Sequence, residues 1–279
     1  MSQLIKKAPG DLDYWMNRVI KLGVSPNFYC AKPYLVATGA ECFITGDNMW
    51  TFVLESVDGT QVCLFPPLPT EYNDSRNPCE LFDEIWSTFN EHPVADCYQK
   101  TFLDYQFIYD QRELIQMKGP QYSTFRKNVR KWPARTGLRL EWAPLSAVPI
   151  EEVQYLCGYW IEYHQSDLQD YDTMLQYILA PTEGGNVEGL VDNYGVLRAI
   201  ICWDGNNVFI NFRYCITHPD EPFLEEYARL LFYQKSYVQA NRPYRFVNDG
   251  GAVDSEGLEH FKDRLNPVYK LNTYSLKKV

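Results

Sequence analysis

The sequence lacks any apolar run approaching the roughly 20 residues that a membrane-spanning helix needs, so no transmembrane segment is expected. It has no CxxC pair, and its four histidines show no ligand spacing, so no metal site is expected. The N-terminal MSQLIKKAPGDLDYW has two lysines but no apolar segment behind them, which argues against a secretory signal. GxxxxGK[ST], GxGxxG after a strand, HExxH and GxSxG are all missing. The commonest NTPase, dinucleotide, metalloprotease and serine-hydrolase readings therefore have no support.

The eight cysteines are scattered among apolar neighbours and read as reduced core residues of a cytoplasmic protein. A hydrophobic fraction of 46% over 279 residues supports a normal core, as one large domain or two. Aromatics make up 15% of the chain, with 21 Tyr. Such a composition fits either partly polar pockets or a Tyr-rich core.

The most specific stretch is 118–132, KGPQYSTFRKNVRKW. Tyr122, Phe125, Val129 and Trp132 recur on one helical face, and Arg126, Lys127, Arg130 and Lys131 fill the other. The basic residues form two like-charged i, i+4 pairs, which repel by a few tenths of a kcal/mol each. From Lys118 to Arg139 there are seven Lys and Arg residues and no acid, in a chain whose net charge is −10. Such an island reads as a phosphate-facing site, the alternative being an amphipathic helix with a solvated basic face.

Element patterns predict a helix over 11–23, strands at 28–30, 34–38, 42–44, 49–55 and 61–65, a Pro-rich loop over 66–78, a helix over 79–90 and a strand over 101–109. A helical stretch follows over 110–132, interrupted near Gly119–Pro120 and ended by Pro133. A strand at 138–142, helices at 150–164 and 171–179, and strands near 187–191, 196–203 and 207–215 come next. The chain closes with a long helix over 221–240, a strand at 244–248, a glycine turn, a helix near 255–264 and a strand at 269–275. Element order repeats between the halves. This predicts an α+β protein with domains over 1–109 and 134–279, joined by the basic connection 110–133.

A second stretch, 247–267, reads VNDGGAVDSEGLEHFKDRLNP. Asn248–Asp249–Gly250–Gly251 is a turn after a strand where backbone can approach a ligand, and Ser255 is a candidate N-cap. By itself this is also an ordinary strand–turn–helix connection.

Together the two stretches resemble the C-terminal catalytic region of the bacterial phosphatidylglycerol lysyltransferases and their soluble single-module relatives. These are tandem GNAT-like acyltransferase folds, distant cousins of the Fem peptidyltransferases. Tyr109, Asp110, Leu114, Lys118, Gly119, Tyr122, Arg126 and Lys131 match the family's joining segment. Asn248, Glu256, Gly257, Leu258, Lys262 and Pro267 match its second segment, and Phe65–Leu68 resembles its Pro-Leu loop. The chain departs at Pro120, Lys127, Asp249 and Gly250, and Arg213 and Tyr214 are the nearest residues to the charged pair after the family's central strand.

The resemblance implies transfer of an aminoacyl group from aminoacyl-tRNA to a hydroxyl or amine acceptor, with no cofactor beyond that donor. An aminoacyl ester is already activated, so positioning, proton removal and oxyanion stabilisation suffice. Lys118, Arg126, Lys127, Arg130 and Lys131 are then candidates for tRNA phosphates, with Tyr122 stacking on the terminal adenine. Asp249 is the candidate proton acceptor or amino-group anchor beside Asn248, and Lys262 the candidate oxyanion or phosphate partner. Two alternatives stay open. One is an acetyl-CoA- or acyl-CoA-dependent N-acyltransferase, for which no [QR]-x-x-G-x-[GA] turn is found and the corresponding place reads THPDEP (217–222). The other is a non-catalytic nucleic-acid-binding or scaffold module on the same fold.

Overall fold

The computed structural model describes residues 5–6, 28–29, 31–44, 49–55, 59–64, 68–69, 84–87, 98–164, 171–205, 209–239, 245–252 and 255–278. The expected helix over 11–23, Cys30, the Phe65–Pro67 part of the Pro-Leu loop and residues 70–83 lie outside them. The chain divides into two compact units, Met1–Gln106 with Leu271–Val279, and Phe107–Lys270.

In the first unit, helix α1 (Lys32–Ala37) accompanies strands β1 (Ile5–Lys6), β2 (Glu41–Ile44), β3 (Met49–Glu55), β4 (Gln61–Cys63), β5 (Leu68–Pro69) and β6 (Glu84–Ser87). Strand β7 (Tyr98–Asp110) and the last strand of the chain (Tyr269–Lys278) each cross the division. The sheet order is β1-β2-β3-β4-β6, with β5 paired to β3. Trp50, Phe52, Cys63, Leu64 and Ile85 form its core.

Three expectations fail here, the first being the strand over 28–30, whose described residues Phe28 and Tyr29 form a turn. Tyr34–Thr38 is helical rather than extended, because Pro33 occupies the first turn, where its fixed φ favours a helix. Residues 84–87 form a strand where a helix was expected, since Ile85 pairs across to both Cys63 and Leu276. Cross-strand pairing outweighs the helical spacing of Leu81, Ile85 and Phe89.

The second unit holds α2 (Gln111–Gln116), a 3-10 turn (Pro120–Tyr122), α3 (Ser123–Thr136), β8 (Leu140–Pro144), α4 (Ile150–Tyr163), α5 (Tyr171–Leu179), β9 (Asn186–Asp192), β10 (Leu197–Gly205) and β11 (Phe209–Thr217). It continues with α6 (Leu224–Gln239), β12 (Phe246–Asn248), α7 (Glu256–Asp263) and the start of β13 (Tyr269–Lys278). β8, β9, β10 and β11 run antiparallel in sequence. β12 then lies parallel to β11 and antiparallel to the end of β7. These elements follow the sequence pattern within a few residues.

Helix α3 buries Phe125, Val129 and Trp132, as their spacing predicts, along with Asn128, whose amide donates to Glu226 at 3.0 Å. Trp132 stacks on Tyr227 of α6 with ring centroids 5.6 Å apart. This packing carries the helix through Pro133, where the sequence predicted a stop, to a C-cap at Gly137. Gly137 sits at φ +70°, a left-handed conformation that glycine adopts without strain, and its N–H satisfies the Pro133 carbonyl. Among the described residues no helix is long and apolar enough to cross a membrane.

Candidate active site

The site forms where two parallel strands part. β11 and β12 pair through Phe209/Phe246, Ile210/Val247 and Asn211/Asn248, and the pairing ends there while β11 continues to Thr217. The Asn248 carboxamide oxygen accepts from the Gly250 N–H at 2.9 Å, turning the chain away. Asp249 N–H donates to the Phe107 carbonyl and Phe107 N–H to the Gly250 carbonyl, both at 3.0 Å, which staples the turn to β7. Gly250 lies at φ +61°, so a side chain here would strain the turn.

Asp249 meets Arg229 of α6 at 2.7 Å, and both are buried. The Arg229 guanidinium also holds Glu225 at 2.8 Å and lies over the Phe212 and Phe261 rings, 4.7 and 5.1 Å from their centroids. α7, capped by the Ser255 hydroxyl at 3.3 Å, brings in Lys262. The Lys262 ammonium donates to the carbonyls of Asp249 and Gly251, both at 2.5 Å, with the Asp249 carboxylate 4.0 Å away. Tyr109 donates its hydroxyl to the Lys262 carbonyl at 3.0 Å. Burial first, and the Asp249 charge second, push the Tyr109 phenol well above its ordinary pKa.

Asn248, Asp249 and Lys262 are thus brought together, as their spacing in one segment suggested. Arg229 was not foreseen. The pattern that could have found it is Glu225–Arg229, an i, i+4 pair of opposite charge on the long helix.

Arg213 belongs to a separate cluster. Phe212 faces α6, so Arg213 projects from the other side of the sheet, where it grips Asp204 at 2.6 and 3.1 Å. Tyr177 and Asn211 donate to the same carboxylate at 3.0 and 2.8 Å, and Tyr214 lies edge-on to Tyr177 at 6.1 Å. Burial, then the Asp204 charge, raises the Tyr177 phenol well above its ordinary pKa.

The basic segment splits into two kinds of residue. Lys118, Lys127 and Arg130 are exposed. Arg126 instead donates to the Met117 carbonyl and, at 2.7 Å, to the Gly119 carbonyl, closing the end of α2. Lys131 donates to Asn128 at 3.1 Å and lies 3.9 Å over the Phe223 ring. Tyr122 is 2% exposed, donating to Glu113 and accepting from Asn266. Its expected role as a stacking platform is corrected: the ring is packed inside, and burial is the main cause pushing its phenol up to about 12.

Before α6, the turn at 217–222 presents acids rather than an anion cradle. Both oxygens of Glu221 are used, one by Trp132 Nε1 at 2.7 Å and one by Arg198 at 2.6 Å. Asp220 accepts from the Tyr159 hydroxyl. Trp132, Arg135, Thr136, Arg198, Asp220 and Glu221 line a pocket of about 310 Å³ at this end of the helix. No thiol offers a nucleophile in the second unit: burial pushes Cys157 up to about 11 and Cys202 and Cys215 well above their ordinary values.

No protein-family model matches the chain, and no curated protein matches it either. Solved structures do match. A conserved protein of unknown function from Bacteroides thetaiotaomicron aligns with a TM-score of 0.76 at 13% identity, covering 100% of both chains. L-PGS from Bacillus licheniformis aligns at 0.64 and 14% identity, covering 98% of this chain and 92% of that one. A tandem GNAT protein from the clavulanic acid biosynthesis pathway aligns at 0.56 and 11% identity, over 99% and 98% of the two chains. At these identities the likeness is one of fold, and the fold it shows is the α+β tandem GNAT arrangement.

Proposed function

We propose that the protein is an acyltransferase that takes an aminoacyl group from aminoacyl-tRNA and passes it to a soluble hydroxyl or amine acceptor. The observation that carries the choice of donor is the turn before α6. A CoA pyrophosphate needs free amides and positive charge at such a helix start. Here Glu221 and Asp220 stand in that place, and Glu221 draws in the Trp132 indole and the Arg198 guanidinium. Lys127 and Arg130 meanwhile project from α3 with no acid between 118 and 139. That arrangement suits a polyphosphate chain such as an RNA acceptor arm. The L-PGS fold neighbour, at 92% coverage of its chain, adds to this reading.

In the reaction the acceptor nitrogen or oxygen attacks the ester carbonyl and a tetrahedral oxyanion forms. Collapse releases the ribose hydroxyl of the tRNA, which receives the proton that the acceptor lost. We place this at the turn 248–251. Asp249 takes the acceptor proton or anchors the aminoacyl ammonium, and Lys262 faces the oxyanion. Both are engaged internally, Asp249 with Arg229 and Lys262 with two carbonyls. Substrate therefore has to compete with those bonds, a cost that its binding energy can meet.

Titration of the purified protein with aminoacyl-tRNA, deacylated tRNA and acetyl-CoA at two salt concentrations tests the donor. Salt-sensitive binding of the RNAs, weakened by Lys127→Ala with Arg130→Ala, is expected. Binding of acetyl-CoA alone would replace this reading with an acyl-CoA N-acyltransferase.

A further inference from the structure

Helix α4 carries a feature that the transfer chemistry does not use. Tyr155, Tyr159 and Tyr163 follow one another at i, i+4 and i+8, on one face. Tyr155 is 65% and Tyr163 63% exposed. The Tyr155 and Tyr159 rings lie within 7° of parallel with centroids 6.1 Å apart. His218 packs against Tyr159 at 4.9 Å, and His164 against Trp160 and Tyr163 at 4.6 and 5.0 Å.

The position of this ladder matters as much as its exposure. The Tyr159 hydroxyl donates to Asp220, which lines the pocket before α6. Across that pocket stand Trp132 and Arg135 of α3, and the same helix presents Lys127 and Arg130 to solvent. On α3 the row Lys127, Lys131 and Arg135, at i, i+4 and i+8, leads to the pocket, and Tyr159 reaches its Asp220 from the aromatic ladder, whereas Arg130 lies on another side of the helix. Eight residues of helix separate Lys127 from Arg135, about 12 Å, enough for two successive phosphates. Glu151 and Glu162 lie exposed at the two ends of the tyrosine run, which repels phosphate there and leaves the uncharged faces of bases as the better occupant.

We infer that the α4 tyrosines are the stacking platform for the unpaired 3′ nucleotides of an RNA whose phosphates run along α3. This rests on the aminoacyl-tRNA reading above and extends it to a specific part of the donor. It also supplies the stacking role that buried Tyr122 does not fill. Unpaired bases stack on aromatic side chains for energies that alanine substitution reads as about tenfold or more per base.

The test compares a deacylated tRNA with the same tRNA trimmed of its unpaired 3′ nucleotides, by fluorescence anisotropy at fixed salt. Wild type is expected to bind the intact RNA about tenfold or more tightly than the trimmed one. Tyr155→Ala and Tyr159→Ala should each remove about tenfold of the intact affinity and leave the trimmed affinity unchanged, whereas Tyr159→Phe keeps the ring and the binding. Circular dichroism checks the fold of each variant. Equal binding of both RNAs, insensitive to the tyrosines, would overturn the platform while leaving RNA on α3. Failure of wild type to bind either RNA would overturn both readings. A dimer of the free protein, seen by sedimentation and lost in Tyr155→Ala, would mean that the face covers a second copy and would also overturn the platform.

Discussion

The Arg229 guanidinium lies 2.7 Å from the Asp249 carboxylate, with the two side chains 5% and 3% exposed. A charge left alone in such a place is costly, so Arg229→Met should destabilise the protein by about 3–5 kcal/mol in urea denaturation. Asp249→Asn should cost less, because Arg229 keeps Glu225. Pairing the two substitutions should recover part of the Arg229→Met loss. A loss below about 1 kcal/mol for Arg229→Met would show that the pair does not hold the turn.

Turnover separates chemistry from support. Asp249→Asn and Lys262→Met should each lower the transfer rate about 10²-fold or more, measured at saturating donor under conditions where both variants stay folded. If both kept near-wild-type turnover, their place would be structural only, as their internal bonds alone would suggest.

The basic segment should also divide under mutation. Arg126→Ala removes the donor to the Met117 and Gly119 carbonyls and is expected to cost about 1–2 kcal/mol of stability. Lys127→Ala and Arg130→Ala, on exposed positions, should change stability by no more than about 0.5 kcal/mol while weakening RNA binding. Chemical denaturation and anisotropy on the same three proteins check this. A stability loss at Lys127 equal to that at Arg126 would contradict it.

Sequence spacing located Phe125, Val129 and Trp132 on the buried face because a helix packed along one side obeys a simple period. It assigned the polar face less well, since period alone does not say whether an arginine faces solvent or caps a neighbouring helix, as Arg126 does. On α6 the limit is a related one. α6 packs against both the sheet and α3, so Leu224, Ala228, Arg229, Phe232 and Tyr233 are all buried and one stripe does not describe it. The 248–251 turn was legible from its Asn, Asp and Gly, whereas its partner Arg229 lies 20 residues away on another element. Pairings of that kind are set by topology, which local pattern does not encode.

Acid should weaken one corner of the second unit through Asp192. Burial pushes its carboxyl up, but hydrogen bonds from Arg198 and from the amides of Tyr194 and Val196 outweigh this, leaving it below the ordinary carboxylate value. A depressed folded value means stability that is fully present above about pH 4 and lost as pH falls through that depressed value. In urea titrations the advantage of wild type over Asp192→Asn should shrink between about pH 6 and about pH 3. An advantage that did not change with pH would contradict the assignment.

Donor identity is tested most directly by transfer itself. A pool of labelled aminoacyl-tRNAs and, separately, labelled acetyl-CoA are incubated with the protein and a small-molecule extract, and label leaving each donor for a new product is counted. The account predicts protein-dependent loss of label from aminoacyl-tRNA, reduced by Lys127→Ala with Arg130→Ala and by Asp249→Asn. Label leaving acetyl-CoA alone, untouched by the α3 substitutions, would contradict it.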